Sequence, residues 1–272
     1  GRPRISAILD FLEGKFKLNN LRILKQFNGC CFADLDLKQQ GVIEDFQLLF
    51  YIIQPPTPER VKYDIFDRVN RGGTPLNKQE MRNALYRGRC TRMLDKLCCS
   101  PEFLIATGRS INKERMKDQY VVLRAMAFLM LHRGEFKDIP ALQYRGDIDD
   151  FLARFMVYVN DNAPEKLIVD YENLFIRCMQ ISYDLLGENG FRFSGNGIRR
   201  PINMPLFEAL SYLFSFVPEK IDYTWVSRLI LDIESVKEEF DDSRYFSGNI
   251  DSTTSVSFRF DRMDKIINRI QL

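Results

Sequence analysis

The stretch YDIFDRVNRGGTPLNKQEMRNALYRG, residues 63–88, reads as the end of one helix, a glycine loop and the start of a second helix. Upstream of it Thr57-Pro58 supplies a cap and a first-turn proline, and Val61, Ile65 and Phe66 line one face before Asn70-Arg71-Gly72-Gly73 stops the helix. Downstream, Asn77 and Glu80 have the spacing of a capping box, and Met81, Ala84 and Leu85 continue an apolar face to a stop at Gly88. Two capped helices around a glycine loop make a mainly α chain the expectation here.

The same periodicity extends in both directions. Ile5, Ile8, Leu9 and Leu12 follow helical spacing up to Gly14. Residues 29–34 and the β-rich run LLFYII, 48–53, read as short strands near the start, with a short helix between them. Beyond the opening stretch, Ser100-Pro101 caps a short helix and 116–132 forms a long one that ends at His132. A break at 133–144, with Gly134 and Pro140, is the best internal boundary. Helices are then expected near 147–159, 164–186, 205–216 and 223–240, with a last one after Thr253-Thr254.

Composition places limits on function. The chain has 272 residues, 45% hydrophobic and 28% charged, enough for a sizeable core. Its apolar runs are far shorter than the roughly 20 residues that cross a bilayer, and the first thirty residues lack the pattern of a secretory signal, so a cytoplasmic protein is expected. Six cysteines show no zinc-site spacing, and with a single histidine a metal cluster is not expected. A phosphate-binding loop, a nucleophile elbow, a kinase signature and an H-E-x-x-H helix are all missing. His132, alone at a helix C-terminus, reads as a favourable partner of the helix dipole. Adjacent acids such as Asp149-Asp150 point about 100° apart on a helix and read as surface charge or capping.

Net charge is only +2, but it is unevenly spread. Between residues 60 and 92 the bases Arg60, Lys62, Arg68, Arg71, Lys78, Arg82, Arg87, Arg89 and Arg92 face only Asp64, Asp67 and Glu80. Such a region is either a solvated helix face or a phosphate-contacting surface, for which the planar guanidinium fork is well suited. The loop GENGFRFSGNGIRRPIN, 187–203, offers Arg192, Arg199 and Arg200 as a second anion-binding surface or simply connects two helices. In the opening stretch Gly72 and Gly73 allow backbone amides to form a nest, with Asn70, Arg71 and Arg82 as side-chain donors. Alternatively Arg82 bridges the helices through Asp67 or Glu80, and Asn70 is a helix cap.

Several segments together resemble a known family. Phe66, Arg68, Val69, Asn70, Gly72, Gly73, Leu76, Glu80, Met81, Arg82, Asn83 and Ala84 fill in order the pattern F-x-R-(I/V/L)-N-x-G-G-x-x-L-x-x-x-E-(L/I/M)-R-N-A. This pattern belongs to the bacterial family of the GmrS N-terminal type. RMKDQYVVLRAMAF, FLARFM, LGENGFRF and PINMPLFEAL are similar to later segments of that family. Gly1-Arg2-Pro3-Arg4-Ile5 and the helix SAILDFLEGKFKL resemble the family's D-G-Q-Q-R-L-T helix, with Gly1 and Arg4 matching and Arg2 and Pro3 standing where the family has glutamines. The motif's aspartate and the strands before it are expected to be missing.

The resemblance implies a ParB-like α+β remnant over 1–56, a helical region with the N-R-G-G loop over 57–135 and a C-terminal helical region over 136–272. In function it implies a nucleotide-dependent DNA-processing component of GmrSD-like phage defence, an NTPase or DNA endonuclease that uses GTP or ATP with Mg2+. Arg4 is then the catalytic candidate; Gly1, Arg2, Asn70, Arg71, Gly72, Gly73 and Arg82 bind the nucleotide or its phosphate. Arg87, Arg89, Arg92, Arg199 and Arg200 contact nucleic acid. DNA and a nuclease subunit or a second copy are the expected partners. The competing expectation is a non-catalytic helical module for DNA binding or protein assembly.

Overall fold

A computed structural model describes residues 2–48, 61, 65, 68, 75–193, 199–218, 223–243, 245–246 and 248–270. The chain divides into two units, 1–56 and 57–272. Among the described residues there are eleven α-helices and no strand.

The first unit contains α1 (Arg2–Leu12) and α2 (Leu37–Glu44), joined by turns. The strand expected over 29–34 does not form. Gly29 adopts a left-handed φ of +88°, and the Asp34 carboxylate accepts the Cys31 amide proton at 2.9 Å, closing Phe32–Asp34 into a 3-10 turn. Asp36 then caps α2 by accepting from the Gln39 amide at 2.8 Å. Side-chain carboxylates thus take the amide protons that a ladder would need. Phe11 packs against Phe16 and Phe32, with ring centroids 5.5 and 6.0 Å away. All but Leu48 of the second expected strand, 48–53, lies outside the described residues.

The second unit holds nine further helices among its described residues: α3 (Lys78–Leu85), α4 (Arg89–Cys98), α5 (Pro101–Ala106), α6 (Lys117–His132), α7 (Ile148–Asp161), α8 (Glu165–Leu186), α9 (Met204–Phe214), α10 (Tyr223–Asp241) and α11 (Thr253–Ile270). Their starts obey local chemistry. The Asn77 side chain accepts from the amides of Gln79 and Glu80 while Glu80 reaches back to the Asn77 amide at 2.7 Å, the capping box its spacing predicts. Ser100, Asp147 and Asn203 cap α5, α7 and α9 by accepting first-turn amides on their side-chain oxygens.

Two helices form the centre. Val121 to Met130 of α6 and Pro205 to Phe214 of α9 are buried on all sides, and the two pack against each other. A helix apolar on every face must sit inside a bundle. Helices α4, α7, α8 and α11 surround this pair, and the core includes residues from both sides of the 133–144 break. No helix among the described residues is long and apolar enough to cross a membrane.

The centre also contains charge. Glu208, fully buried on α9, accepts from Arg259 of α11 at 2.7 Å and from Arg124 of α6, whose own exposure is 1%. Arg124 also donates to Asp251 at 2.6 Å, and Tyr144 donates to the Asp251 carbonyl. Two guanidinium groups, two carboxylates and a phenol thus tie three helices and a loop. Such a network is stable only while all its partners are present.

Candidate functional site: a cationic cavity at the start of α3

The start of α3 and the start of α6 meet around a cavity of about 270 Å³, lined by Asn77, Lys78, Gln79, Arg82, Arg115, Met116, Lys117 and Tyr120. Every charged residue in that lining is a cation. Both helices present their N-terminal ends here, where aligned peptide dipoles add positive potential. Arg115 and Met116 hold φ of +56° and +58°, a left-handed pair without glycine. That conformation costs about 1–2 kcal/mol per residue. It is held by the Arg115 carbonyl, which accepts from Asn77 Nδ2 at 2.7 Å, and by the Arg115 guanidinium, which donates to the Pro75 carbonyl at 2.7 Å and to Glu80 at 3.0 Å.

Much of the N-terminal part of α3 is explained by these contacts. The Arg115 hydrogen bond holds the Glu80 carboxyl below its ordinary range, even though partial burial pushes it the other way. Asn83 donates to Gln119, and Gln119 donates to Asp95 at 2.7 Å, so a run of side-chain amides links α3, α6 and α4. Arg82 is 1% exposed; its Nη1 donates to Asp149 of α7 at 2.7 Å and its Nε to Gln79 at 3.1 Å. Burial would raise the Asp149 carboxyl, but hydrogen bonds and charge from Lys78 and Arg82 outweigh this and hold it low. Arg82 does bridge helices, but through Asp149 among the described residues, while Glu80 takes Arg115 instead.

One group at the cavity is not accounted for. Arg82 Nη2 is buried and has no hydrogen-bond partner. The guanidinium carbon lies 5.3 Å from the centre of the Tyr120 ring, and Arg124 faces the same ring at 5.6 Å. Tyr120 therefore sits between the cavity cation and the buried network of the bundle.

Arg2 and Arg4 belong to α1. Gly1, Asn70, Arg71, Gly72 and Gly73 lie outside the described residues. Arg87 and Arg92 are exposed. Arg89 is instead structural: it donates to the Ala163 carbonyl at 2.9 Å and pairs with Glu165 at 3.3 Å, fastening the start of α4 to the α7–α8 turn. Arg199 pairs with Glu188 at 2.6 Å, and Arg200 with Asp241. Arg192 is buried and donates to the carbonyls of Thr107, Glu188 and Arg200, so in the 187–203 loop it works as a clamp.

His132 departs from the sequence expectation. Its ring stacks on Phe260 with centroids 3.6 Å apart, and burial, assisted by the charge of Arg259, lowers its pKa to about 3. At neutral pH it is uncharged and cannot serve as a cationic partner of the helix dipole. It borders a second cavity of about 280 Å³ with Gln143, Tyr144 and Thr253.

Sequence reasoning missed Arg115, Lys117, Tyr120 and Asp149. RMKDQY was readable as a helix start, but no local signal brings residue 115 to residue 80 or residue 149 to residue 82. Among the described residues no three His, Cys, Asp or Glu side chains gather to hold a metal ion. The two carboxylates next to the cavity, Glu80 and Asp149, are already engaged by cations, so this donor set does not fit Mg2+. No known protein family, curated protein or solved structure matches the chain.

Proposed function

We propose that the chain is a GmrS-like phage-defence component that handles a nucleotide, GTP or ATP, in the service of DNA processing. The observation that best supports this reading is the setting of Arg82. The helix carrying the Glu80-Met81-Arg82-Asn83-Ala84 part of the pattern begins at a cavity whose charged lining is wholly cationic. In this reading Arg82 and the segment 70–73 receive phosphate, and Arg4 on α1 is the catalytic candidate. Any Mg2+ would arrive on the phosphates of the nucleotide, as this ion commonly does.

The test is hydrolysis of GTP and ATP with Mg2+, together with nicking of plain and modified DNA. Turnover that is lost in Arg4→Ala, and nucleotide affinity about tenfold weaker in Asn70→Ala, is the expected result. Nucleotide binding unchanged in both variants would end this reading.

A second reading, a non-catalytic module that binds DNA or assembles with a nuclease subunit, draws support from the exposure of Arg87 and Arg92. It predicts duplex binding that weakens steeply with salt, with a shallower slope in Arg87→Ala and Arg92→Ala. Salt-insensitive binding, or none, would remove its DNA branch. Arg89→Ala is a poorer probe, because that side chain fastens the fold.

A further inference from the structure

We infer that the cavity between α3 and α6 is a receptor for a single phosphate monoester. The inference stands on the cavity alone and survives if the nucleotide reading falls. Three observations converge on it. Lys78, Arg82, Arg115 and Lys117 supply four positive charges to the lining, and Asp149 and Glu80 are among the carboxylates that pair with them. Two helix N-termini add to the same potential.

The second observation is Arg82 itself. A guanidinium almost wholly removed from water needs acceptors for all its N–H groups, and an unmet one costs about 1–3 kcal/mol. Nη1 and Nε have theirs in Asp149 and Gln79; Nη2 has none. An anionic oxygen in the cavity would complete the set, and charge-assisted bonds of this kind are among the strongest a protein makes. The third observation is size. About 270 Å³ accommodates a compact phosphate with part of its substituent, and it is a local, partly open hollow at two helix ends, unlike the extended groove that tracks a nucleic-acid backbone.

Size selects monoester over diester, because a diester's second substituent would have to share the hollow. Arg82 and Tyr120 are positioned to fix the ligand; Lys117, exposed at the start of α6, sits at the rim.

The experiment titrates the full chain with inorganic phosphate, methyl phosphate and dimethyl phosphate by calorimetry at low ionic strength. One saturable site is expected for phosphate and methyl phosphate, with dimethyl phosphate at least about tenfold weaker. Lys117→Glu, a surface change that leaves the core intact, should weaken both monoanionic and dianionic forms by about tenfold or more, and Arg82→Gln should abolish binding. Lys166→Glu, on the exposed face of α8, is the control and should bind as the parent chain does. Absence of saturable phosphate binding overturns the inference. So does parental affinity in Lys117→Glu, which places the anion elsewhere, and so does equal affinity for dimethyl phosphate, which assigns the hollow to a diester backbone. Phosphate binding without nucleotide turnover would sink the functional reading and leave this one standing; turnover with unaltered phosphate binding in Lys117→Glu would do the reverse.

Discussion

At the scale of the residue, His132 shows how position overrides type. A histidine at the end of a helix normally gains from being charged, yet here the ring lies flat on Phe260 and its Nε2 is buried without a partner. Its folded pKa, lowered to about 3, lies well below the ordinary value of 6.5. The unfolded chain therefore binds the extra proton as pH falls through 6.5, and the folded chain does not until near 3. Stability from this group is complete above pH 6.5 and is lost progressively below it. The slope approaches about 1.4 kcal/mol per pH unit, or about 2 kcal/mol by pH 5. Urea denaturation between pH 7.5 and 5 should show that decline, and His132→Phe should flatten it whatever its effect on absolute stability. An identical slope in the variant would mean that His132 is protonated in the fold.

At the scale of the element, the helices that sequence reasoning placed are those that carry their instructions locally. The Asn77–Glu80 box, the Ser100-Pro101 start and the stop at Gly187 are written within a few residues of the helix ends they control. The strand expected at 29–34 fails for a local reason too, because Asp34 offers its carboxylate to the Cys31 amide and the segment closes on itself. What fixes one helix against another is not local. Gly88 reads as a helix stop, but its larger role is clearance: a Cβ there would lie 2.5 Å from Asn160 Oδ1. That amide, from α7, accepts from the Cys90 amide at 2.9 Å and donates to the Tyr86 carbonyl at 2.9 Å, clasping the α3–α4 turn. Gly88→Ala must push the clasp aside and should destabilise the chain by about 1–3 kcal/mol. Asn160→Ala removes the same two bonds, so the double variant should lose much less than the sum. Additive losses in a thermal-denaturation cycle would show that the two positions act separately.

At the scale of the whole molecule, the same division between local and distant information governs what was legible. Fold class and helix order could be read because they depend on periodicity and caps. The pairings Arg82–Asp149, Arg124–Glu208 and Arg259–Glu208 could not, because they join residues 67, 84 and 51 positions apart, and nothing in the sequence marks one acid among many as the partner. The cavity was half visible for that reason: Arg82 stood out in its motif, whereas Arg115 and Lys117 reach it only through the packing of α6 against α3.

The distribution of burial also sets how the molecule opens. In the first unit the buried apolar side chains among the described residues are Phe11 and Leu35, while Ile23, Leu37, Val42 and Phe46 are exposed. In the second unit the core runs through α6 and α9 without interruption. Burying a large aliphatic or aromatic side chain contributes about 1.5–3 kcal/mol, so two such residues offset little of the entropy of ordering a segment of this length, roughly 1–2 kcal/mol for each residue's backbone. The first unit should open in excursions that leave the second intact. Native-state hydrogen exchange would then give the amides of α1 and α2 opening free energies of no more than about 2–3 kcal/mol, while those of α6 and α9 approach the global value, on the order of 5–15 kcal/mol. Glu208 places a condition on that difference: it sits at the crossing of α6, α9 and α11, and Glu208→Ala leaves Arg124 and Arg259 facing each other in the core. In that variant protection should fall in α6, α9 and α11 together while α1 and α2 exchange as before. Equal slowing of exchange across both units in the parent chain would show instead that the two open as one.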